Sequence, residues 1–391
     1  MRFRKAAGSA LGVLLGLSIA YPAAGAEPVK IGLILPMSGP FAGYGQQIEN
    51  GVRLYLKQNG DTFGGRKVEL LVKDDTGVAP EVSKRVAQEL VVGDRVDILA
   101  GFGLTPSAFA VAPIATEAKK PMVVLNAATS AVTTKSDYIV RTSMTLPQVT
   151  APMASWAAKN GIHKVFTVVA DYGPGHDAEA QFKKTFEAAG GEVVGEVRSP
   201  VKNPDFAPFL QKVKDTRPDA VFLFVPAGEQ GVGFMKGFAE RGLAKAGIRV
   251  IATGDLTAEL VLDAIGEPAL GVITSFHYAE SHDSPENKAF TQAWYQAYAP
   301  SRPDFMAVAG YDGMHLIAEA LKKTGGNTDG DKFIEAVKGM HWISPRGPIS
   351  IDPATRDIVQ TIYIRKVQNV GGKLQNVEFD KVPDFKDPGK S

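Results

Sequence analysis

The chain has 391 residues, a formal charge of +1, 45% hydrophobic residues and no cysteine. The missing cysteines exclude disulfides, a thiolate nucleophile, cysteine-ligated zinc and a lipidated N-terminal cysteine, and the near-neutral charge without a basic cluster gives no footprint for nucleic acid or an anionic membrane surface. Stability must then come from apolar burial, and about 365 mature residues exceed what one core usually serves, so two domains are expected.

Residues 1–26 have the three parts of a secretory signal: basic Arg2, Arg4 and Lys5, an apolar stretch from Ala6 to Ala20, and small residues Ala24, Gly25 and Ala26 before the cut. Its removal takes three basic residues and no acidic one, changing the formal charge from +1 to −2. No later segment approaches the ~20 apolar residues that span a bilayer, so a soluble, free periplasmic protein without a lipid anchor is expected.

The mature chain opens on VKIGLIL, Val29 to Leu35, in which only Lys30 is polar; this reads as a buried strand ended by Pro36, Ser38, Gly39 and Pro40. Further short apolar runs predict strands at 68–72, 96–100, 122–125, 165–170, 220–225, 249–252 and 271–275, with amphipathic helices at 48–58, 82–92, 178–189 and 206–213 between them. This βαβ series predicts parallel sheets with helices on both faces, and ligands settle outside the carboxyl ends of such strands. Phe41 and Tyr44 follow the first of those ends. Crossings between two lobes are expected near 143–149, 276–284 and 348–356, and the Lys-, Asp- and Pro-rich tail from Gly371 reads as loosely attached.

Four later strand ends carry candidate chemistry. GFGLTPS, Gly101 to Ser107, opens a helix whose free N–H groups and dipole favour an anion, with the Thr105 hydroxyl beside them; an ordinary N-cap is the competing reading. LNAATS, Leu125 to Ser130, is small enough for close backbone approach at Ala127 and Thr129, or is a locally bonded turn. In ADYGPGHD, Tyr172 offers a ring face and a hydroxyl, or is a core aromatic. In ATGDLTAE, Asp255 is placed to meet a ligand ammonium or to cap a helix, while the rival acid Glu229 falls inside a helix facing solvent.

Catalytic readings find no support: GxSxG, Walker A and HExxH are all missing, and GxGxxG lacks its third glycine. His277 and His282 span a loop rather than one helix face, so neither a metal nor a cofactor is expected.

Six segments in order, MSGPFAGYG, VKDDTGVAPEVSKRVAQELV, VDILAGFGLTPSAFAVAPIATEA, LNAATS, DYGPG and AGYDGMHLIAEAL, resemble the type I periplasmic binding proteins, in the leucine/isoleucine/valine-binding branch. The resemblance covers nearly the whole mature chain. It implies an α/β fold of two Rossmann-like lobes, parallel sheets flanked by helices and joined by a three-strand hinge. The first lobe would hold 27–146 and 278–352, the second 147–277 and 353–378, with 379–391 as the tail. The implied ligand set is Tyr44, Phe102, Leu104, Thr105, Ala127, Thr129, Tyr172, Asp255 and Tyr311, with Thr105, Ala127 and Thr129 on the ligand carboxylate and Asp255 on its ammonium.

The function implied is capture of a small carboxylate, a branched-chain or other hydrophobic amino acid, by a monomeric receptor serving the permease and ATPase of an ABC importer, without enzymatic activity. Two departures open an alternative. The cysteine pair common in relatives is missing, and Phe41, Phe102 and Phe276 join Tyr44, Tyr172 and Tyr311 near strand ends. Such a lining suits a hydroxybenzoate, phenylpropenoate or amide as well as an aliphatic side chain. A ligand-sensing module is the further alternative.

Overall fold

The computed structural model describes residues 26–390, so the export signal expected over 1–26 lies, but for its last residue, outside the described residues. Two sheets organise the chain. The first runs Thr62–Phe63, Arg66–Asp74, Val29–Leu35, Ile98–Gly101, Met122–Val124, Ile139–Arg141. The second runs His341–Ser344, Gly347–Ile351, Ile358–Val370, Ile273–Phe276, Arg249–Thr253, Ala220–Phe224, Lys164–Ala170, Glu192–Ser199, with Lys373–Phe385 paired to Ile358–Val370.

All eight expected strands are present, and their apolar character has the expected cause: helices cover both faces, so Ile31, Leu33 and Ile34 are all buried although they alternate in direction. Each such side chain contributes about 1.5–3 kcal/mol by leaving water. The four expected helices are also present, as Ala42–Asn59, Pro80–Gln88, Gly173–Ala188 and Ala207–Thr216. The first packs against Phe305–Thr324 at backbone contact distance: a Cβ on Gly51 would stand 2.0 Å from the Ala307 carbonyl oxygen, and one on Gly310 2.2 Å from that of Ile48.

Both sheets are mixed rather than purely parallel. Thr62–Phe63 and Arg66–Asp74 are antiparallel about Gly64 and Gly65, and Ile358–Val370 and Lys373–Phe385 are antiparallel about Gly371 and Gly372, all four glycines with positive φ. Two consecutive left-handed residues are what a two-residue hairpin requires. The tail expected to be loose is therefore a sheet strand. Beyond it, the Ser130 hydroxyl donates to Asp387 at 2.5 Å and Lys390 meets Thr133 and Asp357.

Three passages join the two units. One follows Ile139–Arg141 into the helix Leu146–Lys159, another leads from Ile273–Phe276 to the helices Pro285–Tyr298 and Phe305–Thr324, and the third runs in Ile358–Val370. Just before that strand, Arg141 N donates to Arg356 O in the first unit; within it, Ile364 pairs with Ser275 in the second. Buried Arg346 ties passages together, donating to Thr142 O and, at 2.9 Å, to Ser143 O and Gln360 Oε1.

Strand order places the crevices. In the first sheet the chain moves from Val29–Leu35 to Arg66–Asp74 on one side and then to Ile98–Gly101 on the other. In the second it moves from Lys164–Ala170 to Glu192–Ser199 and then back to Ala220–Phe224. At each reversal the two following loops diverge over opposite faces and leave a gap at the strand ends. Residues from both gaps line one small cavity.

Candidate functional site

The cavity has a volume of only about 20 Å³, far below the ~300–1,000 Å³ of drug-sized sites. From the first unit it is lined by Tyr44, Leu104, Thr105, Asn126 and Ala127, and from the second by Tyr172, Phe224, Pro226 and Asp255. No Lys or Arg is among the lining residues.

Tyr44 stands in the first turn of Ala42–Asn59, edge-on to Phe41 with ring centroids 5.4 Å apart, and its hydroxyl donates across the cleft to Ala227 O at 2.9 Å. Thr105 is the first residue of Thr105–Ala118. Its oxygen accepts from Thr129 N at 3.3 Å, which leaves the hydroxyl proton for a ligand. The expected backbone cradle differs in detail, because Ala127 N donates to Phe102 O at 2.9 Å and is already used.

The loop carrying Ala127 is held from behind. Fully buried Arg141 donates to the carbonyls of Ala127 at 2.9 Å, Thr129 at 2.8 Å and Ser130 at 3.3 Å, and pairs with Asp357 at 2.6 Å.

On the facing wall, Tyr172 precedes the helix Gly173–Ala188, and its ring stacks on Phe224 at 6.2 Å and 13°. Asp255 lies in the turn after Arg249–Thr253 and accepts from the Thr253 hydroxyl at 2.8 Å. Burial raises its carboxyl to about 6, partly offset by the Thr253 hydrogen bond and more distant Arg365. Burial also pushes the phenols of Tyr44 and Tyr172 well above their usual range, with the Asp255 charge adding to both, so they stay neutral donors.

Six of the nine expected residues therefore line one cavity: Tyr44, Leu104, Thr105, Ala127, Tyr172 and Asp255. Three do not. Phe102 adopts a left-handed φ of +67° and its ring sits in the core cluster with Ile34, Val111 and Val124. Tyr311 faces away, its hydroxyl on Gln58 at 2.8 Å and its ring against Tyr55 and Phe290. Thr129 stands at the seam between the units, where a Cβ on Gly173 would be 2.6 Å from its hydroxyl oxygen. Phe276 packs on Phe305 rather than lining the cavity.

Sequence reading did not name Gly103, Asn126, Ala128, Met144, Leu146, Pro174, Phe224 or Pro226 as site residues. Phe224 carried a signal, as the last residue but one of a predicted strand, where a ligand-facing side chain is expected. Glu229 lines a larger groove of about 620 Å³ outside the cavity, together with Phe41, Phe206 and Gln230. That groove lies beyond the Tyr44 to Ala227 contact and mixes Lys202, Lys236 and Arg241 with Asp205 and Glu240. The inner cavity, at both strand-order reversals, is the better solute site.

Among the described residues no group of three His, Asp or Glu is placed to hold a metal ion. His277 is buried against Phe276 and Phe305, and His282 pairs with Glu378 at 2.8 Å.

Two strand-order reversals facing one small cavity are the geometry of a solute-binding cleft between two units. The chain belongs to the type I periplasmic binding proteins, in the Leu/Ile/Val-binding branch: the periplasmic binding protein family model matches residues 28–373. The Leu/Ile/Val-binding protein homolog 6 of Brucella melitensis is 48% identical over 382 residues, 97% of this chain and 98% of that protein.

Among solved structures, a solute binding protein of an ABC transporter from Rhodopseudomonas palustris BisB5, in complex with 3,4-dihydroxybenzoic acid, is 56% identical with a TM-score of 0.91, covering 93% of this chain and 99% of that one. Another, from Rhodopseudomonas palustris HaA2 in complex with p-hydroxybenzoic acid, is 46% identical with a TM-score of 0.90 over 93% and 99%.

Proposed function

We propose that this chain is the periplasmic receptor of an ABC importer for hydroxylated aromatic carboxylates, and that it delivers them to a membrane permease driven by its ATPase. The observation that carries the ligand class is the stacked wall of Tyr172 on Phe224, with Tyr44 and Leu104 in the same narrow cavity. A flat ring buries both faces in such a slot, whereas a branched aliphatic side chain fills it less evenly.

The polar groups fit the same reading. Thr105 and the N-terminal turn of its helix receive the carboxylate, and Asp255, with its raised carboxyl, accepts from the ring hydroxyl. The Rhodopseudomonas relatives bound to hydroxybenzoates support this class. The ligand touches both units only when they are closed, and this difference in affinity drives closure. The protein acts as a monomer whose two lobes are built on the two sheets; the expected boundaries shift, because His341–Ser344 and Gly347–Ile351 join the second sheet rather than the first and Lys373–Phe385 carries that sheet beyond 378.

The second reading, an α-amino acid, is favoured by the naming of the Brucella relative and by an acid positioned for an ammonium. A thermal-shift and calorimetric screen of 4-hydroxybenzoate, 3,4-dihydroxybenzoate, benzoate, leucine, valine and phenylalanine separates them. A ligand at about 100 times its Kd adds ~2.7 kcal/mol. Stabilisation by the benzoates is expected; stabilisation by the amino acids alone overturns the proposal.

A further inference from the structure

Asn126 is left half satisfied at the cavity wall. Its Nδ2 donates to Gly103 O at 2.7 Å, which determines which end of the amide is oxygen, while Oδ1 is buried without a protein partner. The side chain has little freedom to repair this. Leu125 N is bonded to Gly101 O at 2.8 Å and Ala127 N to Phe102 O at 2.9 Å, so the backbone on both sides of Asn126 is pinned to the neighbouring strand end.

An amide oxygen has lone pairs and no proton, so only a hydrogen-bond donor can satisfy it. A carboxylate cannot. The nearby polar groups divide accordingly: Thr105 retains a proton to give, whereas Asp255 and Asn126 Oδ1 are acceptors. One ring hydroxyl occupies Asp255 and leaves the second acceptor bare.

We propose that Asn126 determines specificity by accepting a hydrogen bond from a second ring hydroxyl, so that the preferred ligand is a dihydroxylated rather than a monohydroxylated benzoate. This rests on the aromatic-carboxylate reading of the same cavity. A ligand without that hydroxyl leaves Oδ1 unpaired in a closed cleft, and sites built to bond a hydroxyl discriminate against the analogue lacking it.

The test is a cycle of two ligands and two proteins. Affinities for 3,4-dihydroxybenzoate and 4-hydroxybenzoate are measured by calorimetry on the wild type, Asn126→Ala and Asn126→Ser, after thermal scans establish that each variant folds. The wild type is expected to prefer the dihydroxy compound about three- to ten-fold, and the alanine variant to bind the two equally. Equal wild-type affinities, or an alanine variant that keeps the preference, overturn the role of Asn126 while leaving the aromatic reading intact. Should both variants fail to fold, the wild-type ratio alone decides. Binding of neither benzoate by the wild type removes the ligand class and this inference together.

Discussion

The Tyr44 hydroxyl donates to the Ala227 carbonyl at 2.9 Å, joining residues 183 positions apart across the seam between the two units. Tyr44 belongs to the wall before the seam and Ala227 to the loop after Phe224, so the bond exists only while the cleft is closed. It contributes to the closed state whatever the ligand is. Tyr44→Phe is expected to weaken ligand binding about five-fold, the net worth of about 1 kcal/mol for one hydrogen bond. Calorimetry with the ligand found in the screen checks this, and unchanged affinity removes the bond from closure.

Gly173 and Thr129 meet at the same seam. A methyl group on Gly173 would stand 2.6 Å from Thr129 Oγ1, well inside contact distance, yet the backbone there lies outside the left-handed region that favours glycine. Gly173→Ala is therefore expected to leave the unliganded melting temperature within a few degrees and to lower affinity about ten-fold or more by holding the cleft ajar. Adding Thr129→Ala, which removes the obstructing oxygen, restores part of the loss. No recovery in the double variant would place the effect elsewhere.

Asp255 makes a pH prediction with a definite sign. Its carboxyl is raised to about 6 by burial, so between about 4 and 6 the folded protein holds a proton that the unfolded chain releases. Stability from this group is complete at low pH and is lost as pH rises through 6. Asp255→Asn removes the penalty. The unliganded variant should melt higher than wild type at pH 7.5, with the difference shrinking towards pH 4. A difference independent of pH would mean that Asp255 is not buried as a charged group.

Arg141 holds three carbonyls of the loop 127–130 and pairs with Asp357, all out of contact with water. Lysine has one ammonium where arginine has a planar fork, so Arg141→Lys cannot reproduce the four contacts. A drop of about 3 kcal/mol in stability is expected, as for other broken buried pairs, together with weaker ligand binding through the loosened loop. Calorimetric unfolding with and without ligand checks both parts.

Much of this site was legible because chemistry and topology coincide at strand ends. Val29 to Leu35 reads as buried on both faces, and the residues just after a buried parallel strand fall at the rim of the sheet. Tyr44, Thr105, Ala127, Tyr172 and Asp255 could therefore be named as candidates from order and spacing, whereas Leu104 came only with the family resemblance. The two hairpins were not anticipated, although the pairs Gly64 with Gly65 and Gly371 with Gly372, whose positive φ values suit a two-residue turn, carried the signal. The polar residues around the second pair pointed instead to a solvent-exposed tail, because an edge strand with one wet face has a tail's composition.

The sequence by itself determined the alternation of strands and helices, the lack of cysteine chemistry and the loops from which a site can be built, because local periodicity and turn chemistry act over a few residues. Only the tertiary structure decided which side chains enter the cavity. Phe102 turns into the core at φ +67°, Tyr311 packs on Tyr55, Arg141 draws the loop carbonyls backward, and Asn126 is left with one unpaired oxygen. Each depends on partners tens to hundreds of residues away, and the direction of a side chain at a strand end is set by those partners rather than by its neighbours in sequence.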